Sequence, residues 1–140
     1  MTIREQAEHL YRDVDVFMLS CVDLDGYPLT KAVVPGKYRE RLNKMYFSTN
    51  TSSKFVDAII QNEKSNVYFF RQDETAWAGC FLKGDIEIVT DMGVKEKYWL
   101  EDYKDAYAQG VFTDPDYCLL EFTPNAGRLY TGESIEDLII

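Results

Sequence analysis

The sequence predicts a mostly antiparallel β-barrel with helices packed on its outside, an α+β fold formed by residues 1–140 as a single domain. Three observations carry this prediction. Short β-prone apolar runs recur along the chain, helical patterns interrupt them at only a few places, and turn residues separate many of the runs. The resulting order of a helix, a hairpin, a strand, a helix, two strands, a long helix and further strands is typical of an antiparallel sheet that closes on itself.

The first part of the chain predicts a helix followed by a β-hairpin. Apolar residues at helical spacing predict an amphipathic helix over residues 2–12. Two β-prone runs follow at 16–22 and 29–35, and the pair Asp25-Gly26 between them is a strong signal for a tight hairpin turn. We therefore expect these two strands to be antiparallel neighbours.

The middle of the chain predicts three more strands and a short helix. In order, these segments are residues 44–48, a polar turn with a helix that ends near Asn62, residues 66–71, a polar loop at 72–75, and residues 77–89. Gly84 interrupts the apolar face of the last and longest strand, which predicts a β-bulge. A bulge redirects the second half of a strand, as in sheets that close into barrels.

The last part of the chain predicts a second long helix and the final strands. Aromatic residues fall on one face of the helical pattern over residues 91–109, and Gly110 is expected to end that helix as a C-cap. Beyond it the pattern predicts strands at 117–123 and 128–130. The short C-terminal tail, residues 135–140, mixes charged and apolar residues, and its pattern is uninformative.

The charge of the chain limits its partners. The formal net charge is −9, and because an acidic surface repels phosphate backbones we expect no nucleic-acid partner. An anionic ligand would need locally concentrated cations, for which Lys31 and Lys54 are the candidates. No apolar run approaches the length of a membrane span, and the N-terminus is acidic and amphipathic, unlike a signal peptide. The expected location is therefore the cytoplasm, without membrane contact.

The few cysteines and the single histidine exclude several kinds of site. Cys21, Cys80 and Cys118 are widely spaced in apolar runs, which predicts buried, reduced thiols without a disulfide framework or a zinc signature. His9 lies in the N-terminal helix, where a solvated side chain is the simpler interpretation, and no metal site is expected. Chemistry in this protein would therefore come from a cofactor.

The most informative segment is the hydroxyl-rich turn at residues 47–55, which reads FSTNTSSKF. It follows a predicted strand and opens onto the predicted helix, where free backbone N–H groups and the helix dipole favour an anion. Ser48, Ser52 and Ser53 could donate to phosphate oxygens, and Lys54 supplies a positive charge. The alternative interpretation is an ordinary helix cap, since serine and threonine are favoured there in any case.

Five motifs in a common order carry a resemblance to a known family. They are DLDGYP at residues 23–28, the FSTNTSSK turn, the glycine-bearing strand at 77–87, a helix bearing Trp99, and TDPDYCLLEFTP at 113–124. The chain resembles the FMN-binding split-barrel proteins related to pyridoxamine 5′-phosphate oxidase, most closely their general-stress-protein branch. The resemblance implies an antiparallel split β-barrel and a homodimer with an FMN site in the cleft between its subunits.

The same resemblance implies the residues of the FMN site. Those that would contact the cofactor are Lys31, Ala32 and Val33 on the second strand, Phe47, Ser48, Ser52, Ser53 and Lys54 in the turn, and Trp77 and Trp99 as candidate contacts from the partner subunit. The family's turn usually has an arginine where Ser53 stands. Because arginine holds phosphate through two parallel hydrogen bonds, its replacement implies loosely bound FMN. For Trp99, whose helical spacing matches that of Tyr103, packing within the chain is the competing interpretation.

Three functions remain open from the sequence. The first is an FMN-dependent oxidoreductase that acts on a small, unidentified substrate, with no catalytic side chain assigned. The second is a non-catalytic carrier of flavin, deazaflavin or haem, although haem would need an axial ligand and the chain has only His9 as a histidine candidate. The third is a barrel kept for protein contacts after its site has decayed.

Overall fold

The computed structural model describes residues 1–74 and 76–140; Thr75, in the polar loop predicted at 72–75, lies outside the described residues. The elements are α1 (Ile3–Asp13), β1 (Phe17–Val22), β2 (Pro28–Val33), β3 (Met45–Asn50), α2 (Lys54–Gln61), β4 (Lys64–Gln72), β5 (Trp77–Ile88), α3 (Met92–Tyr98), a 3-10 helix (Glu101–Asp105), β6 (Tyr117–Thr131) and β7 (Ile135–Ile139). None of the helices in the described residues is long and apolar enough to cross a membrane.

The described strands form one antiparallel sheet in the order β2-β1-β4-β5-β6-β3, and β7 pairs with β6. The two ends of this order, β2 and β3, approach each other where an isolated bridge joins Pro35 to Phe47. A hydrogen bond of 2.8 Å from Gly36 N to the Tyr46 carbonyl oxygen reinforces that closure. The predicted antiparallel barrel with outside helices is thus confirmed, and β2 and β3 border its split.

The interior of the barrel is an apolar core with aromatic rings at its centre. The rings of Phe17 and Phe69 stack at 4.4 Å between centroids, and Phe47 meets Phe17 edge-on at 6.2 Å. Helix α1 contributes Leu10 and Tyr11, which are almost fully buried. Because burying one large apolar side chain stabilises a fold by about 1.5–3 kcal/mol, this core accounts for the closure of the sheet.

Two glycines allow the backbone geometry that the barrel requires. Gly26 has a φ of +87° in the turn between β1 and β2, which confirms the hairpin signal. The pairing of β5 with β6 shifts register between Lys83 and Gly84, so an irregularity lies at the predicted position, although the extra residue, Asn125, belongs to β6 and not to β5. A Cβ atom at Gly84 would lie 2.8 Å from the Pro124 Cα atom, so only glycine lets the two strands cross this closely.

The prediction of one long helix over residues 91–109 is wrong. Helix α3 ends at Tyr98, and Trp99 adopts an extended backbone with a ψ of 133° before the 3-10 helix begins. The aromatic side chains of this region pack against Tyr117 on the sheet, which the extended residue makes possible. Gly110 has a φ of +65°, but it caps no helix: the 3-10 helix ends at Asp105 with Ala106 as its C-cap, and Gly110 ends a turn in which its N–H donates to the Tyr107 carbonyl oxygen.

The end of the chain also differs from the sequence prediction. Instead of two short strands, β6 is one strand of 15 residues, because it pairs with the whole of β5 through the bulge. The tail, whose sequence pattern is uninformative, forms β7, which pairs with residues 126–130 of β6. Leu138 is buried within β7, so a single inward side chain carries the apolar signal of this strand.

Candidate functional site

Lys31 lies on the inward face of β2, beside the split of the barrel. It pairs with Leu19 of β1 and alternates with the buried Val33, so its side chain enters the barrel mouth. Its ammonium donates a 2.8 Å hydrogen bond to the Thr49 hydroxyl of β3 and lies 5.0 Å from the centroid of the Phe55 ring. One hydrogen bond and one ring contact therefore hold this cation across the split.

The surroundings of Lys31 leave its positive charge uncompensated. Among residues 1–74 and 76–140, no carboxylate lies within ion-pair distance of this ammonium. Burial lowers the pKa of Lys31, and its nearest titratable neighbours are the thiols of Cys118 and Cys21, whose own pKa values burial raises. Since an ammonium has three donors and Thr49 uses one, the geometry suits an anionic ligand.

The hydroxyl-rich turn after β3 already binds an anion of the chain itself, Asp116. One carboxylate oxygen of Asp116 accepts a hydrogen bond of 2.8 Å from the Asn50 side-chain amide. The other oxygen accepts a hydrogen bond of 3.0 Å from the Ser52 backbone N–H. These hydrogen bonds, together with those from the Ser52 hydroxyl and Thr51, hold the pKa of Asp116 below its ordinary value. The donors of Ser52 that the sequence assigned to a phosphate are thus directed to Asp116 in this structure.

The other residues of the turn have separate roles. The Ser53 hydroxyl caps α2, because it accepts a 3.3 Å hydrogen bond from the Val56 N–H. This is the ordinary cap that formed the alternative interpretation of the segment. Ser48 lies half-buried on the outward face of β3, on the side of Tyr117. Lys54 is exposed at the first position of α2, where its ammonium is accessible to a ligand.

The remaining predicted residues of the first subunit lie on or next to the split. Ala32 is exposed and Val33 is buried on β2, which pairs with β1 alone among the described strands, so one backbone edge of β2 is open. Phe47, backbone included, is 1% exposed in the barrel core, so the structure leaves it closed to a ligand. Ala32, in contrast, is exposed.

The two tryptophans lie in different places relative to the turn. Trp77 begins β5 next to Thr131, whereas Asn50 pairs with Tyr117 at the opposite end of β6. Because β6 has 15 residues and spans about 50 Å when extended, Trp77 cannot reach the turn of its own chain.

Trp99, in contrast, lies close to the turn of its own chain. It packs edge-on against Tyr117, at 5.0 Å between ring centroids, within an aromatic cluster. The structure therefore shows Trp99 packed within its own chain, which is the competing interpretation of this residue. A contribution of either tryptophan to a partner's site stays a prediction.

Sequence reasoning missed two residues of the site, Thr49 and Asp116. Thr49 is 7% exposed, its hydroxyl binds Lys31, and its carbonyl oxygen accepts a 2.8 Å hydrogen bond from the Tyr107 hydroxyl. Strand alternation could have found it, because it is a polar residue at the inward position that follows Met45 and Phe47. Asp116 belongs to an Asp-Pro-Asp run whose turn chemistry gives no hint of its distant partners.

The lysines of the site fit a phosphate-bearing cofactor, whereas the hydrogen-bond donors of Ser52 do not. The half-buried Lys31 ammonium, with no carboxylate partner among the described residues, fits an anionic group, and the exposed Lys54 adds a second cation. The Ser52 donors do not fit in their present arrangement, because Asp116 accepts them. A phosphate at this site would accordingly be held by lysines more than by the backbone of the turn.

Comparisons with known proteins agree with the fold and extend it. The family described as "Pyridoxamine 5'-phosphate oxidase like" matches residues 3–137. No curated protein matches the chain. A solved structure from Clostridium acetobutylicum, a protein related to general stress protein 26 of B. subtilis and assigned to the pyridoxinephosphate oxidase family, is 32% identical, with a TM-score of 0.82 over 97% of this chain and 93% of that chain.

More distant structures share the fold alone. General stress protein 26 from Bacillus anthracis is 21% identical, with a TM-score of 0.77 over the whole of both chains. A heme binding protein from Mycobacterium smegmatis is 12% identical, with a TM-score of 0.75 over 99% of this chain and 58% of that chain. Since the family match spans nearly the whole sequence and the first structure exceeds 30% identity, this chain belongs to the pyridoxamine 5′-phosphate oxidase-like family, with the split-barrel fold of its structural neighbours.

Proposed function

We propose that this protein binds FMN and acts as a flavin-dependent oxidoreductase on a small substrate, which remains unidentified. The observation that carries the proposal is the half-buried Lys31 ammonium, which has no carboxylate partner among the described residues. A desolvated cation lowers the stability of a fold unless an anion compensates it, so its position at the open split favours an anionic ligand. Family membership makes FMN the first choice for that ligand.

The residues of the chain would divide the work of binding between charge and backbone. Lys31 and Lys54 would hold the phosphate, since charge-assisted hydrogen bonds are the strong ones. The open backbone edge of β2 at Ala32 and Val33 would orient the ring system through N–H and C=O groups. Bound FMN would supply the electron-accepting group, and the aliphatic walls of the split would exclude water from one side of it.

A homodimer with the flavin site between its subunits is part of this proposal. Apolar side chains are exposed next to β1, β2 and β4: Val16, directly before β1, at 54%, Val34, directly after β2, at 62%, and Phe70, on β4, at 50%. Such exposure favours association with another protein surface, and an uncharged contact would limit repulsion between two chains of net charge −9. A second copy would also be needed to bring Trp77 to the turn.

A non-catalytic flavin or deazaflavin carrier is the alternative for the same site, and haem fits it less well. The haem-binding neighbour shares the fold at 12% identity. In this chain His9 is exposed on α1, 3.3 Å from the Asp13 carboxylate. Burial raises the pKa values of the Cys21 and Cys118 thiols, so they stay protonated at neutral pH and are poor iron ligands.

Flavin titration followed by anaerobic reduction tests the proposal. Purified protein freed of cofactor is titrated with FMN, and we expect saturable quenching of flavin fluorescence, with weaker binding in Lys54→Ala. The FMN-loaded protein is then mixed with NADH or NADPH without oxygen, and the loss of the oxidised flavin absorbance is followed. Saturable reduction supports an oxidoreductase, bound but unreduced FMN supports the carrier, and no binding contradicts both.

A further inference from the structure

The loop before β6 is joined to the hydroxyl-rich turn by hydrogen bonds from two directions. The backbone N–H of Thr51 donates a hydrogen bond of 2.9 Å to the Asp116 carbonyl oxygen, and the Thr51 hydroxyl donates a hydrogen bond of 2.9 Å to the Pro115 carbonyl oxygen. The Asp116 carboxylate in turn accepts from Asn50 and Ser52 at 2.8 and 3.0 Å. The two segments are 64 to 66 positions apart in sequence, so this contact is tertiary and specific to the fold.

A second aspartate holds the loop itself in place. Asp114 is 3% exposed, and its two carboxylate oxygens accept hydrogen bonds from the Gln109 N–H at 2.7 Å and the Asp116 N–H at 2.8 Å. Asp114 therefore links Gln109 to Asp116, and Asp116 in turn links the loop to the hydroxyl-rich turn. This chain of contacts ends at Ser52, directly before the capping residue Ser53 and the exposed Lys54.

We infer that Asp116 is the positioning residue of the proposed FMN site, because its carboxylate fixes the turn that sets where α2 begins and where Lys54 stands. The inference rests on the proposed function. Asp116, as a carboxylate, would repel a phosphate and is not proposed to contact it. It acts through Asn50 and Ser52, whose donors it accepts, and so keeps the turn in one conformation before any ligand arrives.

The role has a consequence for selectivity between flavins. FMN and riboflavin share the ring and the ribityl chain and differ in the phosphate alone. Displacement of Lys54 and of the start of α2 would weaken contacts to a phosphate and leave contacts to the ring on β2 unchanged. Removal of the Asp116 charge should therefore reduce the preference for FMN over riboflavin, which a general loss of stability would not do.

The test compares dissociation constants for FMN and riboflavin in four versions of the full chain: wild type, Asp116→Asn, Asn50→Ala and Asp102→Asn. The amide in Asp116→Asn keeps the shape of the side chain and removes its charge. Asp102 is exposed on the 3-10 helix, so Asp102→Asn is a control for the change in net charge. We expect Asp116→Asn to weaken FMN binding roughly tenfold, as one misplaced charge-assisted contact would. Riboflavin binding should change less than about twofold, and Asp102→Asn should resemble wild type.

Hydrogen exchange supplies a second measurement that needs no flavin. In Asp116→Asn the backbone amides of Thr51 and Ser52 should exchange faster than in wild type, while amides in β4 and β5 keep their protection. If Asp116→Asn does not fold, Asn50→Ala removes one donor to the same carboxylate and should show a smaller change in the same direction. Equal losses for both flavins, tighter FMN binding in Asp116→Asn through the released Ser52 donors, or unchanged FMN binding with unchanged exchange would overturn the inference. Wild-type protein that binds no FMN would instead overturn the proposed function.

Discussion

Replacement of Lys31 by methionine separates ligand binding from folding at the centre of the proposed site. Methionine has a flexible, unbranched apolar side chain of similar length, so Lys31→Met fills a similar volume beside the Phe55 ring while it removes the charge. The hydrogen bond of 2.8 Å to Thr49 is lost, and the site loses its half-buried cation. Any effect on FMN binding then arises from the ammonium.

The size of the effect follows from the number of contacts that Lys31 can make. One of its three donors is used by Thr49, so at most two are free for a phosphate. A hydrogen bond to a charged group contributes about 1.5–3 kcal/mol. Loss of one such contact weakens FMN binding by roughly ten- to 150-fold, because each 1.4 kcal/mol is a factor of ten. Riboflavin, which has no phosphate, should bind equally well to both proteins.

The stability of the unliganded protein should respond in the opposite sense. Burial lowers the pKa of Lys31, so between that lowered pKa and the ordinary value of 10.5 the unfolded chain binds more protons than the folded chain. Lys31 should therefore add a contribution to wild-type stability that rises with pH in this window, on top of the falling contribution of the buried cysteine thiols, whose pKa values are raised. In Lys31→Met this rising contribution should disappear, and Tm at neutral pH should equal or exceed that of wild type.

The assay is fluorescence titration with FMN and riboflavin at constant ionic strength, together with thermal unfolding between pH 7 and pH 10. Lys83→Met is the matched control, because Lys83 is exposed on β5 and its replacement makes the same change in charge. Equal FMN affinities in wild type and Lys31→Met would refute the assignment of Lys31 to the phosphate. A fall of Tm by many degrees in Lys31→Met would refute the claim that the fold gains nothing from this cation.

Three further predictions address the barrel around the site. Gly84→Ala should lower the free energy of unfolding by about 1–3 kcal/mol in urea denaturation, because the added methyl group would overlap the Thr123 carbonyl; unchanged stability would argue against the tight crossing at the bulge. A thiol reagent should modify none of the three cysteines quickly in the native protein, since all are buried and burial raises the pKa of Cys80 to about 12, and all three should react in denaturant. Glu121 accepts a hydrogen bond of 2.7 Å from the Tyr46 hydroxyl and forms an ion pair with Lys44, and the pKa of its carboxyl is lowered. Its contribution to stability is therefore present at neutral pH and is lost as the pH falls below the ordinary range of glutamate. The acid-side fall of Tm should be shallower in Glu121→Gln, and an identical profile would contradict this.

Local chemistry explains which parts of the fold could be predicted from the sequence. The hairpin depends on Asp25-Gly26 and the bulge on Gly84, and in both cases backbone geometry demands a glycine. The first helix also begins with a local signal, since Thr2 and Glu5 form a capping box. Signals of this kind act within a few residues, so they are readable without knowledge of the tertiary contacts.

The long helix at 91–109 could not be excluded from the sequence, because its failure has a tertiary cause. The aromatic residues of this segment recur at helical spacing, and the same residues pack on Tyr117 and Tyr46 of the sheet. That packing favours an extended Trp99 over a continued helix. The same limit applies to Asp116, whose partners lie 64 and 66 positions away.

The structure shows the capping role of the turn, whereas its role in phosphate binding stays a prediction. Ser53 caps α2 with its side chain, and an arginine at that position, as in the usual pattern of the family, could not make this cap. The positive charge that such an arginine would bring is absent, and Asp116 adds a negative charge to the same turn. Phosphate binding would then depend on Lys31 across the split, where a cation remains half-buried with no carboxylate partner among the described residues. A fold has no reason of its own to keep an ammonium there, which makes Lys31 the residue on which the proposed function depends most.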